Sequence, residues 1–139
     1  MPELIKNTVL SVGIKNQDIE LLKEWGKFLS EDTRNETISR DGKRRTETKT
    51  KLTTSQIRKF FGEIKRIQAD FENCKGDIIL LDPKIAYAVG RAEGQSKIED
   101  FYRLTSPLIF DIQEVKVKFK NFVTIIEAIV AYHKAAGGK

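Results

Sequence analysis

The stretch Leu52–Phe71, LTTSQIRKFFGEIKRIQADF, has the pattern of an amphipathic helix. Apolar residues fall at Ile57, Phe60, Phe61, Ile64, Ile67 and Phe71, spacings of three and four that share one side of a helix. Thr53 or Thr54 can accept from the unpaired N–H groups of the first turn. A step of about 100° per residue then puts Arg58, Lys59, Lys65 and Arg66 on the opposite side. Only the small Ser55, Gly62 and Ala69 stand between them there. One half of the helix suits a core. The other suits either water or a negatively charged partner, since basic faces of amphipathic helices are commonly just solvated. Gly62 in mid-helix costs roughly 1 kcal/mol relative to Ala. Glu63 and Asp70, at the edge of the basic stripe, can form ordinary surface pairs with it.

The remaining periodic segments are helical too. Residues 1–16 are ambiguous: Val9, Leu10, Val12 and Ile14 fit a short extended piece or a helix lead-in, and Gly13 opposes a long helix. From Gln17 to Leu29, Ile19, Leu22, Trp25 or Gly26, and Leu29 keep helical spacing. Trp25 lies on that apolar stripe, which favours a core anchor over a base-stacking residue. Ile78–Leu81 could pass for a buried strand, but Asp82-Pro83 reads better as an N-cap followed by proline at the first helical position. That helix would run to Gly94, burying Ile85, Ala88 and Val89 and placing Arg91 near its C-terminal end. Arg91 there complements the helix dipole or contacts phosphate. Ser96 caps a further helix that Pro107 breaks or kinks. The last segment, Val115 to Ala135, is apolar around much of its circumference, as a bundle's central helix is, and Gly137-Gly138 stops it. The apolar half of the 52–71 helix is expected to pack on it.

Glu31–Lys51 is different. Ile38 is its only large aliphatic side chain, and Thr, Arg, Lys, Glu and Asp fill the rest. So little apolar surface cannot offset the entropy of ordering, so a mobile basic loop is expected over 31–51. Of the chain's net charge of +5, the stretch Arg34–Lys51 carries +4, from seven basic residues against three acidic ones. Lys43, Arg44, Arg45, Lys49 and Lys51 are its candidate contacts to a polyanion, nucleic acid first among them. A solvated connector accounts for the same residues equally well.

At 139 residues the chain fits one helical domain spanning 1–139. The expected fold is all-α: a compact bundle of about five helices with the long basic loop between the first two. The lone Cys74 excludes an internal disulfide and fits a reducing cytoplasm. A secretory leader pattern and an apolar run of about 20 residues are both missing, so no membrane is expected as partner. His133 is the single histidine, and no Cys/His set with zinc spacing accompanies it; a packed position suits it better than a catalytic one. Phosphate-loop, dinucleotide and nucleophile-elbow motifs are absent from the sequence. Carboxylates are spread as on helix surfaces rather than paired. The expectation is a non-enzyme without cofactor or metal.

Two stretches together, LTTSQIRKFFGEIKRI at Leu52–Ile67 and FKNFVTIIEAIVAYHKAAGG at Phe119–Gly138, resemble the small subunit of the type III-A CRISPR effector, the Csm complex. LDPKIAYAVGR at Leu81–Arg91 resembles its middle helix. Residues 1–50 carry little of the resemblance. It implies a non-catalytic, RNA-binding subunit in the cytoplasm, working in antiviral defence. Copies would stack in a filament beside the other subunits and line the channel that holds guide RNA and target RNA. On this resemblance Arg58, Lys59, Lys65, Arg66 and Arg91 face RNA. The alternatives are a helical adaptor that binds only proteins, and a helix-turn-helix DNA-binding protein, for which the chain shows no clear short turn before a recognition helix.

Overall fold

A computed structural model of the chain describes residues 1–137. A short α1 (Thr8–Val12) leads into α2 (Asn16–Leu29), a β1–β2 hairpin (Thr33–Ile38, Arg44–Lys49) and α3 (Thr54–Ala69). A single turn α4 (Phe71–Cys74) and a 3-10 segment (Lys75–Leu80) follow. The chain then forms α5 (Leu81–Ala92), α6 (Ile98–Ile112) and α7 (Lys116–Ala135). Five of these helices, α2, α3, α5, α6 and α7, have twelve residues or more, and they supply most of the core. The fold is thus mostly helical, with a small two-stranded sheet added to the expected bundle.

That sheet corrects the expected loop between the first two long helices. Residues 33–38 and 44–49 pair antiparallel from Thr33↔Lys49 to Ile38↔Arg44. Asp41-Gly42 makes the turn, with Gly42 at φ 79° and its N–H donating to Ser39 O at 2.9 Å. Such a dipeptide between Thr-rich runs is a hairpin signal, and Thr favours the extended backbone. The strands bury no face and are held by backbone pairing together with the anchoring of their base on the helices. All their residues are exposed except Thr33 and Lys49, and Ile38 is 74% exposed. Where the hairpin meets the helices, Thr50 N–H donates to Gln95 O and Lys97 N–H donates to Thr50 O, both at 2.8 Å.

The helical body forms around α2 and α7. Trp25 is fully buried on α2, and its indole N–H donates to Glu3 O at 2.7 Å, which bears out its reading as a core anchor. Beside it, Gly26 lets the two helices come together. A Cβ there would lie 2.4 Å from Tyr132 Cβ and 2.8 Å from the backbone nitrogen of His133. The main partner of α7 is therefore α2, while the 52–71 stretch also meets α7, as expected, over a smaller contact.

The helix α3 begins as expected. Thr53 is its N-cap: Gln56 N–H donates to Thr53 Oγ1 at 3.2 Å, and Gln56 Oε1 accepts from Thr53 N–H at 2.9 Å. This reciprocal pairing satisfies two amides that the helix start leaves free. The buried face holds Ile57, Phe60, Ile64 and Ile67, with the Phe60 ring edge-on to Phe101 of α6 at 5.3 Å. Asp70, at φ −145° and ψ 66°, ends the helix just before the last apolar position of its pattern, and that residue, Phe71, stacks on Phe119 of α7 at 5.6 Å.

Three local expectations change. Asp82 is not an N-cap: it lies within the first turn of α5, buried, where its carboxylate accepts from Tyr102 Oη at 3.0 Å and from the Ser106 hydroxyl. It ties α5 to α6 instead of capping its own helix. Ser96 sits one position before the N-cap residue Lys97, yet its hydroxyl accepts from Ile98 N–H at 3.1 Å. Of the break or kink expected at Pro107, the break does not occur, since α6 continues to Ile112. His133 is buried with Nε2 2.7 Å from Leu52 O, a packed position as expected. Gly137, at φ 90°, follows the end of α7, while Gly138 lies outside the described residues.

The crossing at Gly26 gives a stability prediction. Gly26→Ala forces a methyl into the backbone of α7, and overpacking of this kind costs about 1–3 kcal/mol. Urea unfolding followed by circular dichroism should show a lower midpoint at an unchanged slope.

Candidate nucleic-acid interface

The outer face of α3 carries its four predicted cations in two unlike pairs. Arg58 and Lys59, in the first half, are exposed, and neither has an ion pair among the described residues. Lys65 lies 3.0 Å from Glu127 of α7 and 4.9 Å from the centroid of the Phe61 ring. Arg66 bonds Glu63 and Asp77, both at 3.1 Å. Glu63 also accepts from Lys84 of α5 at 2.7 Å. The hydrogen bonds from Lys84 and then Arg66 hold the Glu63 carboxyl below its ordinary value. The hydrogen bonds that Arg66 donates to Glu63 and Asp77 raise its already high value. These pairs are exposed, so solvent screens them, but they leave little uncompensated charge around Lys65 and Arg66. Gly62 between the two pairs is exposed and has nothing within 4 Å of an added Cβ.

Lys59 and Arg91, far apart in sequence, line one cleft of about 830 Å³ between α3 and α5. Its wall includes the buried Phe60 and Ile85. Arg91 is exposed and without an ion pair among the described residues, its guanidinium 5.9 Å from the centroid of Tyr87. Lys84 and Tyr87 belong to the same cleft but were not singled out from the sequence. Their signal was available. Lys84, Tyr87 and Arg91 are spaced by three and four, so they share one face of α5 beside the apolar positions that had drawn notice.

The remaining predicted cations lie on and below the hairpin. Lys43, Arg44 and Arg45 are exposed near its tip. Lys49 points back to the helical body instead, 2.9 Å from Asp100 and 3.7 Å from Glu99. Asp100 Oδ2 is buried, and the Lys49 ammonium approaches it off the line of a hydrogen bond. Half-buried Lys51 donates its backbone N–H to Asp32 at 2.8 Å. Next to this base lies Lys97, 1% exposed, its ammonium donating to Phe28 O at 2.6 Å and lying 3.9 Å from the centroid of the Phe28 ring. Burial pushes its pKa down, against the pull of Asp100, Glu31 and Asp32.

No group of three or more His, Cys, Asp or Glu side chains among the described residues could hold a metal, and no described helix is long and apolar enough to cross a membrane. The fold and this surface define a class: a small, mostly helical protein that turns uncompensated cations outward. The family model Csm2 Type III-A matches residues 32–139, and the chain belongs to that family. It is thereby a small subunit of the type III-A Csm complex, acting with the other subunits of that effector in CRISPR defence. Comparison with curated proteins and with solved structures gave no match.

Lys97 gives a pH prediction. Its pKa is lowered from 10.5 by folding, so between the lowered value and 10.5 the unfolded chain binds the proton more tightly. Stability from this group therefore rises with pH across that interval. Lys97→Met removes the rise. Urea midpoints measured at about pH 7 and about pH 10 should converge toward each other in the variant relative to the unsubstituted protein.

Proposed function

We propose that this subunit lines the channel occupied by guide RNA and target RNA, and that it holds the phosphate backbone without catalysing a reaction. The observation that carries the reading is the uncompensated set Arg58, Lys59 and Arg91 on neighbouring faces of α3 and α5. The hairpin cations Lys43, Arg44 and Arg45 extend the same charge away from the helical body. Lys65 and Arg66 belong to the face but contribute less, because Glu127, Glu63 and Asp77 compete with phosphate for them. Lys49 is tied into the hairpin base through Asp100 and Glu99 and serves it first, whereas Lys51 is held there only by its backbone N–H.

Phosphate contacts position a strand without reading its sequence. Base pairing with the guide supplies that reading, a division of labour known for RNA-guided DNA effectors. Copies of the subunit stacked as a filament would repeat the cations along the strand, so that weak single contacts add up when aligned. Such an assembly would work in the cytoplasm.

A second reading has one observation in its favour. Phe110, Val115 and Val117 are exposed around the turn joining α6 to α7, a surface suited to a protein neighbour. In an adaptor that binds only proteins, that contact would suffice and the cations would only keep the chain in solution. Retention by the complex after nuclease treatment, with no RNA crosslink to α3, would favour it.

Charge reversal separates the readings. Arg58→Glu with Lys59→Glu should leave the fold intact and weaken target-RNA binding by the reconstituted complex. The plot of log affinity against log salt should become shallower by about 1.4, taking roughly 0.7 per phosphate contact on a single strand. Lys65→Glu with Arg66→Glu should change RNA binding less and destabilise the fold more, since it sets like charges against Glu127, Glu63 and Asp77. Unchanged RNA affinity and salt slope in the first variant would reject the proposed face.

A further inference from the structure

The cleft between α3 and α5 has features that backbone binding does not use. Tyr87 stands at it with its ring 69% exposed, and its hydroxyl has no hydrogen-bond partner among the described residues. Lys84 lies three residues before it and Arg91 four after, so an aromatic ring is flanked by cations about one turn away on each side. Glu63 neutralises Lys84, whereas Lys59 and Arg91 remain uncompensated. Phe60 and Ile85 give the cleft an apolar wall, and its volume of about 830 Å³ lies within the ordinary range for small-ligand pockets.

The geometry points to a subsite for one unstacked base of single-stranded RNA, with the base on the Tyr87 ring and its phosphates between Lys59 and Arg91. This deepens the RNA-binding reading and rests on it. A base within a duplex has both faces covered by its neighbours, so the ring can engage only a nucleotide splayed out of the stack. Every base has a π-face, so stacking tolerates any sequence. The Arg91 guanidinium lies over the Tyr87 ring at 5.9 Å, so an entering base takes its place on the ring and leaves it to meet the phosphate. The positive charge argues for a polyanion over an apolar peptide segment as occupant.

The test compares a short fluorescent single-stranded RNA with an abasic strand of equal length, using the full chain at low salt and anisotropy as readout. The unsubstituted protein should bind the base-bearing strand more tightly, by about 5- to 150-fold for one stacked base. Tyr87→Ala should reduce that affinity to the level of the abasic strand, and Tyr87→Phe should keep the preference. The ring is exposed, so the Ala variant should fold, which circular dichroism checks. Equal binding of both strands, still weakened by reversing Arg58 and Lys59, would overturn the base subsite and leave the phosphate face standing. No binding of either strand by the isolated chain would overturn the base subsite, and the phosphate face would then stand or fall on the charge reversal in the reconstituted complex. Unchanged RNA binding by Tyr87→Ala together with its loss from the assembled complex would assign the cleft to a protein neighbour and overturn the proposal.

Discussion

The placement of the cationic surfaces depends on the backbone of one residue, Leu52. Its N–H donates to Leu29 O at the end of α2, at 2.8 Å. Its carbonyl oxygen accepts from His133 Nε2 on α7, at 2.7 Å. The contact therefore fixes the ring nitrogen that carries a proton, since a carbonyl can only accept. The Leu52 side chain is 1% exposed, so both bonds are made away from water, where leaving either group unpaired would cost about 1–3 kcal/mol. Thr53, the next residue, is the N-cap of α3. The direction in which α3 departs, and with it the outlook of Arg58 and Lys59, is set by this clamp on two other helices.

A helix can present four cations and offer only two of them freely. Lys65 and Arg66 face carboxylates from α7, from the 3-10 segment and from α3 itself, while the first half of α3 faces no such neighbours. A phosphate arriving at the second half must displace an existing partner and regains only the difference between two ion pairs. At Arg58 and Lys59 it gains the whole interaction and releases condensed counterions as well. The same contrast recurs on α5, where Lys84 is compensated by Glu63 and Arg91 is not. Charge count alone is therefore a poor guide to where a polyanion settles; the local balance decides.

This explains how the sequence reading succeeded and where it fell short. The apolar periodicities of α2, α3 and α7 were legible because burial imposes a 3.6-residue repeat on any helix packed on a core. Trp25 was legible for the same reason, as it sits on an apolar stripe, and the packed place of His133 followed from its having no metal-ligand or catalytic set around it in the sequence. The hairpin was hidden because its stability comes from backbone pairing between Thr-rich strands, which leaves no apolar pattern. Its one signal was Asp41-Gly42. Asp82 was misread because a capping residue and a buried acceptor look alike until the neighbouring helix supplies Tyr102 and Ser106. The compensation of Lys65 by Glu127 joins residues distant in sequence, and no local pattern reports it.

The hairpin raises the remaining question of how an exposed two-stranded ribbon holds a direction. Alone, such a ribbon is marginal in water. Here its first pair, Thr33↔Lys49, lies at the helical body, where Lys49 reaches buried Asp100 and Thr50 is bonded on both sides to the 95–97 segment. Six residues per strand carry the tip about 20 Å from that base. Only Thr50–Thr53 separate the end of β2 from the start of α3, and Leu52 within them is clamped. The hairpin and the basic face of α3 therefore share one anchor. The position of Lys43, Arg44 and Arg45 relative to Arg58 and Lys59 is thus set by the protein's own anchoring. A ribbon anchored at its base loses less conformational entropy on binding any partner than a free one would, because part of that ordering is already made in the fold.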